Sequence, residues 1–236
     1  MSTPKTAYGY SPSTGWETEQ RRVLQKTYGL LALTLLPTVA GAYLGMSNLE
    51  LFMPLFKAGS LIAGLVLFAI SWFLISLVDR NSDSKAGIGF LALFTGFSGF
   101  IIAPLLASVL HTPNGAHMVG MAAGSTAAIF ATMALLANFV KADAQKWIGF
   151  ILVGFWVVLA VKIIGAFFPE NSALMQAGCA MAIILFSAWI FFDIKNVLTG
   201  AQGNYIRATL SLYLNIFNVF INILQLITSF GGGSRR

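Results

Sequence analysis

Apolar residues run through this chain in blocks of about twenty, the length a helix needs to cross the hydrocarbon of a bilayer. Seven blocks read roughly as Thr27–Met46, Ala58–Val78, Gly87–Val109, Ala116–Val140, Trp147–Phe168, Ala173–Leu198 and Tyr205–Phe230. Their connections are short, which predicts one bundle with neighbours packed antiparallel. The last block carries Ser211, Asn215, Asn218, Asn222, Gln225 and Ser229, spaced 4, 3, 4, 3 and 4 residues apart. That heptad-like rhythm places all six on one face of a helix otherwise made of Leu, Ile, Val and Phe. With lipid as the solvent, such a face turns inward, against other helices or a hydrated cavity. The pattern predicts an all-α integral membrane protein with the helix Tyr205–Phe230 at its centre.

Composition supports the membrane reading. Apolar residues make up 57% of the 236 and charged residues 9%, against roughly 25% charged in soluble domains. A net charge of +6 would suggest nucleic acid in a soluble protein. Here the basic residues flank apolar spans, so the expected partner is the bilayer and no nucleic acid. Ten Lys and Arg fall in the N-terminal segment (Lys5, Arg21, Arg22, Lys26) and the even-numbered loops (Arg80, Lys85, Lys141, Lys146, Lys195, Arg207). Lys57, Arg235, Arg236 and, within a span, Lys162 belong to the other side. The positive-inside rule then puts the N-terminus in the cytoplasm and, after seven spans, the C-terminus outside. Residues 1–26 are polar and lack a signal-peptide core, so they are expected to form a flexible cytoplasmic tail. Residues 27–230 would form the transmembrane domain, and residues 231–236 a short C-terminal tail. Cys179 is the single cysteine, which rules out an intrachain disulfide.

Several features read as packing. Ala116, Gly120, Gly124, Ala128 and Thr132 recur every fourth residue, a small-residue ridge that lets a neighbouring helix come close. Gly96 and Gly99 do likewise on the third span, which Pro104 kinks. Trp147, at a span start, fits an interfacial anchor. Lys162 is expected to snorkel outward.

Catalytic constellations are missing from the sequence, and no enzyme is expected. The two histidines, His111 and His117, lie six apart in one short loop and match no metal-ligand spacing. No phosphate loop, nucleophile elbow or resident cofactor is indicated. The informative residue is Asp193, roughly 8 Å below the interface at 1.5 Å per residue. It either faces an interior partner or is balanced by Lys195, although residues two apart point away from each other on a helix. Asn215 falls at comparable depth on the antiparallel last helix, so its amide can reach the Asp193 carboxyl. Arg80, at the end of the second span, is the candidate counter-charge. Asn218 and Asn222 continue the face as helix glue or as an ion path.

The stretch from Asn204 to Asn218, Asn-Tyr-Ile-Arg-Ala-Thr-Leu-Ser-Leu-Tyr-Leu-Asn-Ile-Phe-Asn, resembles the last-helix signature of the Bax inhibitor-1 family. Val23 to Leu31 and the run Thr95-Gly96-Phe97-Ser98-Gly99 with Pro104 carry the same likeness, nearest to the family's bacterial YccA-like branch. The resemblance implies six helices surrounding a central seventh. It also implies a bacterial inner-membrane protein that binds the membrane-anchored AAA protease FtsH and restrains its degradation of membrane proteins, with the N-terminal tail as a handle. The alternative that the family implies is a pH-sensitive calcium leak channel, with calcium as a transient ligand. It would be gated by two aspartates on the last two helices and latched by an arginine on the second. The first aspartate matches Asp193, the second falls on Asn215, and the arginine matches Arg80 approximately. Two adjacent carboxylates can share a proton, whereas a carboxylate and an amide cannot, so pH gating is not expected to carry over.

Overall fold

In the computed structural model the described residues are 12–52, 54, 60–140, 144–168 and 172–231, and their secondary structure is entirely helical. Seven helices follow one another: α1 Pro12–Ser47, α2 Ser60–Arg80, α3 Lys85–Leu110, α4 Gly115–Phe139, α5 Ala144–Phe167, α6 Ser172–Leu198 and α7 Tyr205–Gly231. A 3-10 turn, Leu49–Phe52, follows α1. Each of the seven is long and apolar enough to cross a membrane, as the sequence blocks predict. Lys5, Lys57, Lys141, Arg235 and Arg236, used in the orientation count, lie outside the described residues.

The first helix starts at Pro12 rather than near Thr27. Residues 12–26, expected in the tail, are therefore helical. The reason is local: Glu17, Glu19, Gln20, Arg21, Arg22, Gln25 and Lys26 are strong helix formers, and no proline follows Pro12 until Pro37.

The most extensive interface joins α1 to α3, and glycine makes it possible. A Cβ on Gly41 would collide with the Gly96 carbonyl, and one on Gly99 with the Thr38 carbonyl. Backbone therefore lies on backbone, which side chains of any size would prevent. The predicted ridge on α4 behaves differently. Ala116, Gly120, Gly124, Ala128 and Thr132 are all exposed, and nothing lies within 4 Å of where a Cβ on Gly120 or Gly124 would be. Instead α4 turns Ala122, Thr126 and Ala137 into the protein. Residues two apart lie on nearly opposite helix faces, so burying Ala122 leaves Gly120 and Gly124 facing out.

Polar side chains segregate to one side on α7 far more than on any other helix. The six stripe residues are buried or half-buried, none exposed, so the face does turn inward. Five helices pack directly on α7: α1, α2, α3, α4 and α6. The sixth, α5, packs against α6 through Ile151, Val158, Ala182 and Leu185. Lipid tails are as apolar as leucine, so Leu212, Val219 and Leu224, all fully buried, gain little by leaving them. Close packing and hydrogen bonds hold the bundle instead. Tyr213 shows how: its hydroxyl sits 2.9 Å from Thr38 Oγ1 on α1 and donates to the Thr95 carbonyl on α3 at 3.3 Å. Its ring stacks on Phe217 and meets Phe94 edge-on.

Candidate functional site

The site is the seam between α6 and α7, and the turn joining them sets its register. Gly200 adopts a φ of 78°, the left-handed conformation that lets the chain leave α6 without steric cost. Asn204 then caps α7, its Oδ1 accepting the amides of Ile206 at 2.9 Å and Arg207 at 3.1 Å. Its Nδ2 donates to the Ser82 carbonyl at 3.1 Å and to Asp83 Oδ1 at 2.8 Å, tying this turn to the α2–α3 turn. Arg207 strengthens the tie: Nη2 donates to the Asp79 carbonyl at 3.1 Å, and Nε lies 3.9 Å from Asp79 Oδ1.

One helical turn inward, Asp193 meets α7. Its Oδ2 accepts hydrogen bonds from Ser211 Oγ at 2.8 Å and Asn215 Nδ2 at 2.7 Å. Ser211 and Asn215 are four residues apart, so both face α6 together. The expected Asn215 contact is present, and Ser211, one turn away on the same stripe, joins it on the same oxygen. The 4-residue spacing was the available signal, because whatever Asn215 reaches, Ser211 reaches one turn away.

Arg80 does not reach the carboxylate. It is exposed at the end of α2 and forms no ion pair with Asp193 among the described residues. The basic residue that ties α7 to α2 is Arg207. Lys195 is occupied elsewhere as well: Nζ donates to the Ala137 and Val140 carbonyls at 3.0 and 2.8 Å. It thereby satisfies carbonyls that the end of α4 leaves unpaired.

Further along, Asn218 and Asn222 bond to their own helix. Asn218 Nδ2 donates to the Leu214 carbonyl at 2.8 Å, and Asn222 Nδ2 to the Asn218 carbonyl at 2.7 Å. Asn222 is 5% exposed, and its Oδ1 is a buried acceptor with no donor. Gln225 meets α5 and α6, its Oε1 accepting from Lys162 Nζ at 3.2 Å and Cys179 Sγ at 3.4 Å. Lys162 thus turns inward rather than out to the interface.

Chemically the seam is one carboxylate, fixed by two neutral donors, followed by a row of amides. Among the described residues no three of His, Cys, Asp and Glu come together. His111 Nδ1 lies 2.6 Å from the Ala107 carbonyl of its own helix, and His117 is exposed at the start of α4.

The sequence profile described as "Inhibitor of apoptosis-promoting Bax1" matches residues 20–232. The chain belongs to the Bax inhibitor-1 family. A relative in Escherichia coli (strain K12), described as "Modulator of FtsH protease YccA", is 31% identical over 207 residues, 87% of this chain and 89% of its own. An uncharacterized protein of Neisseria meningitidis serogroup B is 33% identical over 226 residues, 95% of this chain and 97% of its own. A Vibrio cholerae relative described as an uncharacterized membrane protein is 28% identical over 209 residues, 89% of this chain and 90% of its own. The functional descriptions among these are of an inhibitor and a modulator, not of a catalyst.

Proposed function

We propose that this protein is a non-enzymatic partner of the membrane-anchored protease FtsH and restrains its degradation of other membrane proteins. The observation that carries the reading is the match, over 87% of this chain, to the relative described as a modulator of that protease. In this reading the chain sits in the bacterial inner membrane with its basic loops and N-terminus in the cytoplasm and its C-terminus in the periplasm. The N-terminal segment makes the protease contact. Its helical part runs from Pro12 to Lys26 and exposes Glu19, Arg21, Arg22, Gln25 and Lys26, polar and mostly charged positions that a soluble protease domain can grip. A helix continuous with a membrane span would hand any pulling force straight to the bundle.

The test is a reconstituted one. FtsH and a membrane substrate are placed in proteoliposomes with wild-type chain, with chain lacking residues 1–26, or with neither. Wild type slows substrate loss and is retained on immobilised FtsH; the truncated chain does neither. Substrate loss at the same rate in all three samples would remove the reading.

A further inference from the structure

Lys162 is a cation inside the apolar stretch of α5, and its side chain is built to point into the bundle. Nζ donates to Gln225 Oε1 on α7 and to Cys179 Sγ on α6, each at 3.2 Å. The Cys179 thiol donates to the same Gln225 oxygen at 3.4 Å. The lysine stem runs past Gly178, where a Cβ would meet Lys162 Cδ and Cε in ordinary contact at 3.7 Å. Long cationic side chains near helix ends usually bend towards water, so an inward ammonium calls for a reason.

Among the described residues no carboxylate faces this ammonium. The acid on the seam, Asp193, is fourteen residues beyond Cys179 on α6, about 21 Å at 1.5 Å per residue. The polar face of α7 therefore has a negative group towards one end and a positive one towards the other. Between them stands Asn222, three residues from Gln225 and so one turn along the same face. Its Oδ1 is buried without a donor, a rare state for a native acceptor. An ammonium carries three N–H groups, of which Gln225 and Cys179 take two.

We propose that Lys162 is a cation-excluding plug: anchored by Gln225 and Cys179, one turn from Asn222 on the same face, it closes the polar face of α7 to cations. A unit charge about 4 Å away lowers the population of a like charge roughly a thousandfold at an effective dielectric constant of about 20. The polar face can then join helices without becoming a leak.

The experiment is potassium and calcium influx into proteoliposomes holding the full chain, with an impermeant dye trapped inside. Lys162→Met, which keeps the stem and removes the charge, raises cation influx at least about tenfold over wild type while the dye stays in. Lys162→Arg keeps wild-type influx. Equal influx in Lys162→Met and wild type, with unchanged helical content, overturns the plug. So does escape of the dye with the cations, or an equal rise in Lys162→Arg. No protease enters the assay, so its outcome is separate from that of the proposed function.

Discussion

Asn215 donates to Asp193 across the α6–α7 seam at 2.7 Å, and Ser211 donates to the same carboxylate oxygen from one turn away. The seam thus has a bonded acid where a free one would be costly in lipid. A double-mutant cycle with Asp193→Leu and Asn215→Leu is expected to give a coupling of about 0.6–2 kcal/mol in unfolding from detergent micelles. A coupling indistinguishable from zero would mean the two side chains do not hold the helices together. Ser211→Ala alone costs about 0.6–2 kcal/mol by the same reasoning.

Glycines on two helices should respond in opposite ways. Gly41→Ala and Gly99→Ala push a methyl into the backbone of the facing helix, and about 1–3 kcal/mol of destabilisation is expected. Gly120→Ala and Gly124→Ala meet open space and should be neutral or stabilising by up to about 1 kcal/mol. Thermal unfolding in one detergent, all four variants side by side, checks the ordering. Equal losses at all four sites would contradict the packing.

Asn204 works twice, as the cap of α7 and as the clasp on the α2–α3 turn. Asn204→Ala should cost about 0.5–2 kcal/mol for the cap alone. Arg207→Ala, whose ion pair with Asp79 is half exposed on both sides, should cost about 0–1 kcal/mol. Arg207→Ala proving the worse of the two would reverse the assignment. Proteolysis within the α6–α7 turn is a second readout, expected to quicken in Asn204→Ala.

Tyr213→Phe keeps the stacking with Phe217 and Phe94 but removes the hydroxyl that joins α1 and α3 to α7. It leaves the Thr95 carbonyl short of one donor, and about 1 kcal/mol of stability should go with it. A Thr38→Val variant should lose little more when combined with Tyr213→Phe, because both delete one contact.

The spans were legible because bilayer thickness fixes helix length, and only the start of α1 was misplaced. Nothing apolar marks that start: a helix can run on into water on propensity alone, so Pro12 to Lys26 read as tail. The Asp193–Asn215 bond was legible from depth and antiparallel order. The partners of Arg80 and Lys195 were not, because a long basic side chain at a helix end can reach several neighbours equally well. The ridge on α4 was misread for a related reason. Small residues permit a close approach, but periodicity does not say whether anything approaches, and Ala122 and Thr126 claimed the inner face. The inward turn of Lys162 was the least legible, since its partners Cys179 and Gln225 come from two other helices.

The attachment of α5 has a consequence for the order in which the protein comes apart. Its interface is mainly with α6, with the Lys162–Gln225 bond its tie to α7, while α7 itself is embraced by five other helices, so α5 has the least to lose on separating. Regions with few packed contacts open at free energies below that of the whole. The amides of α5 should therefore exchange with deuterium ahead of those of α7. Each such excursion also carries Lys162 away from Gln225, and how often the loosest helix breathes sets how often the polar face stands uncovered.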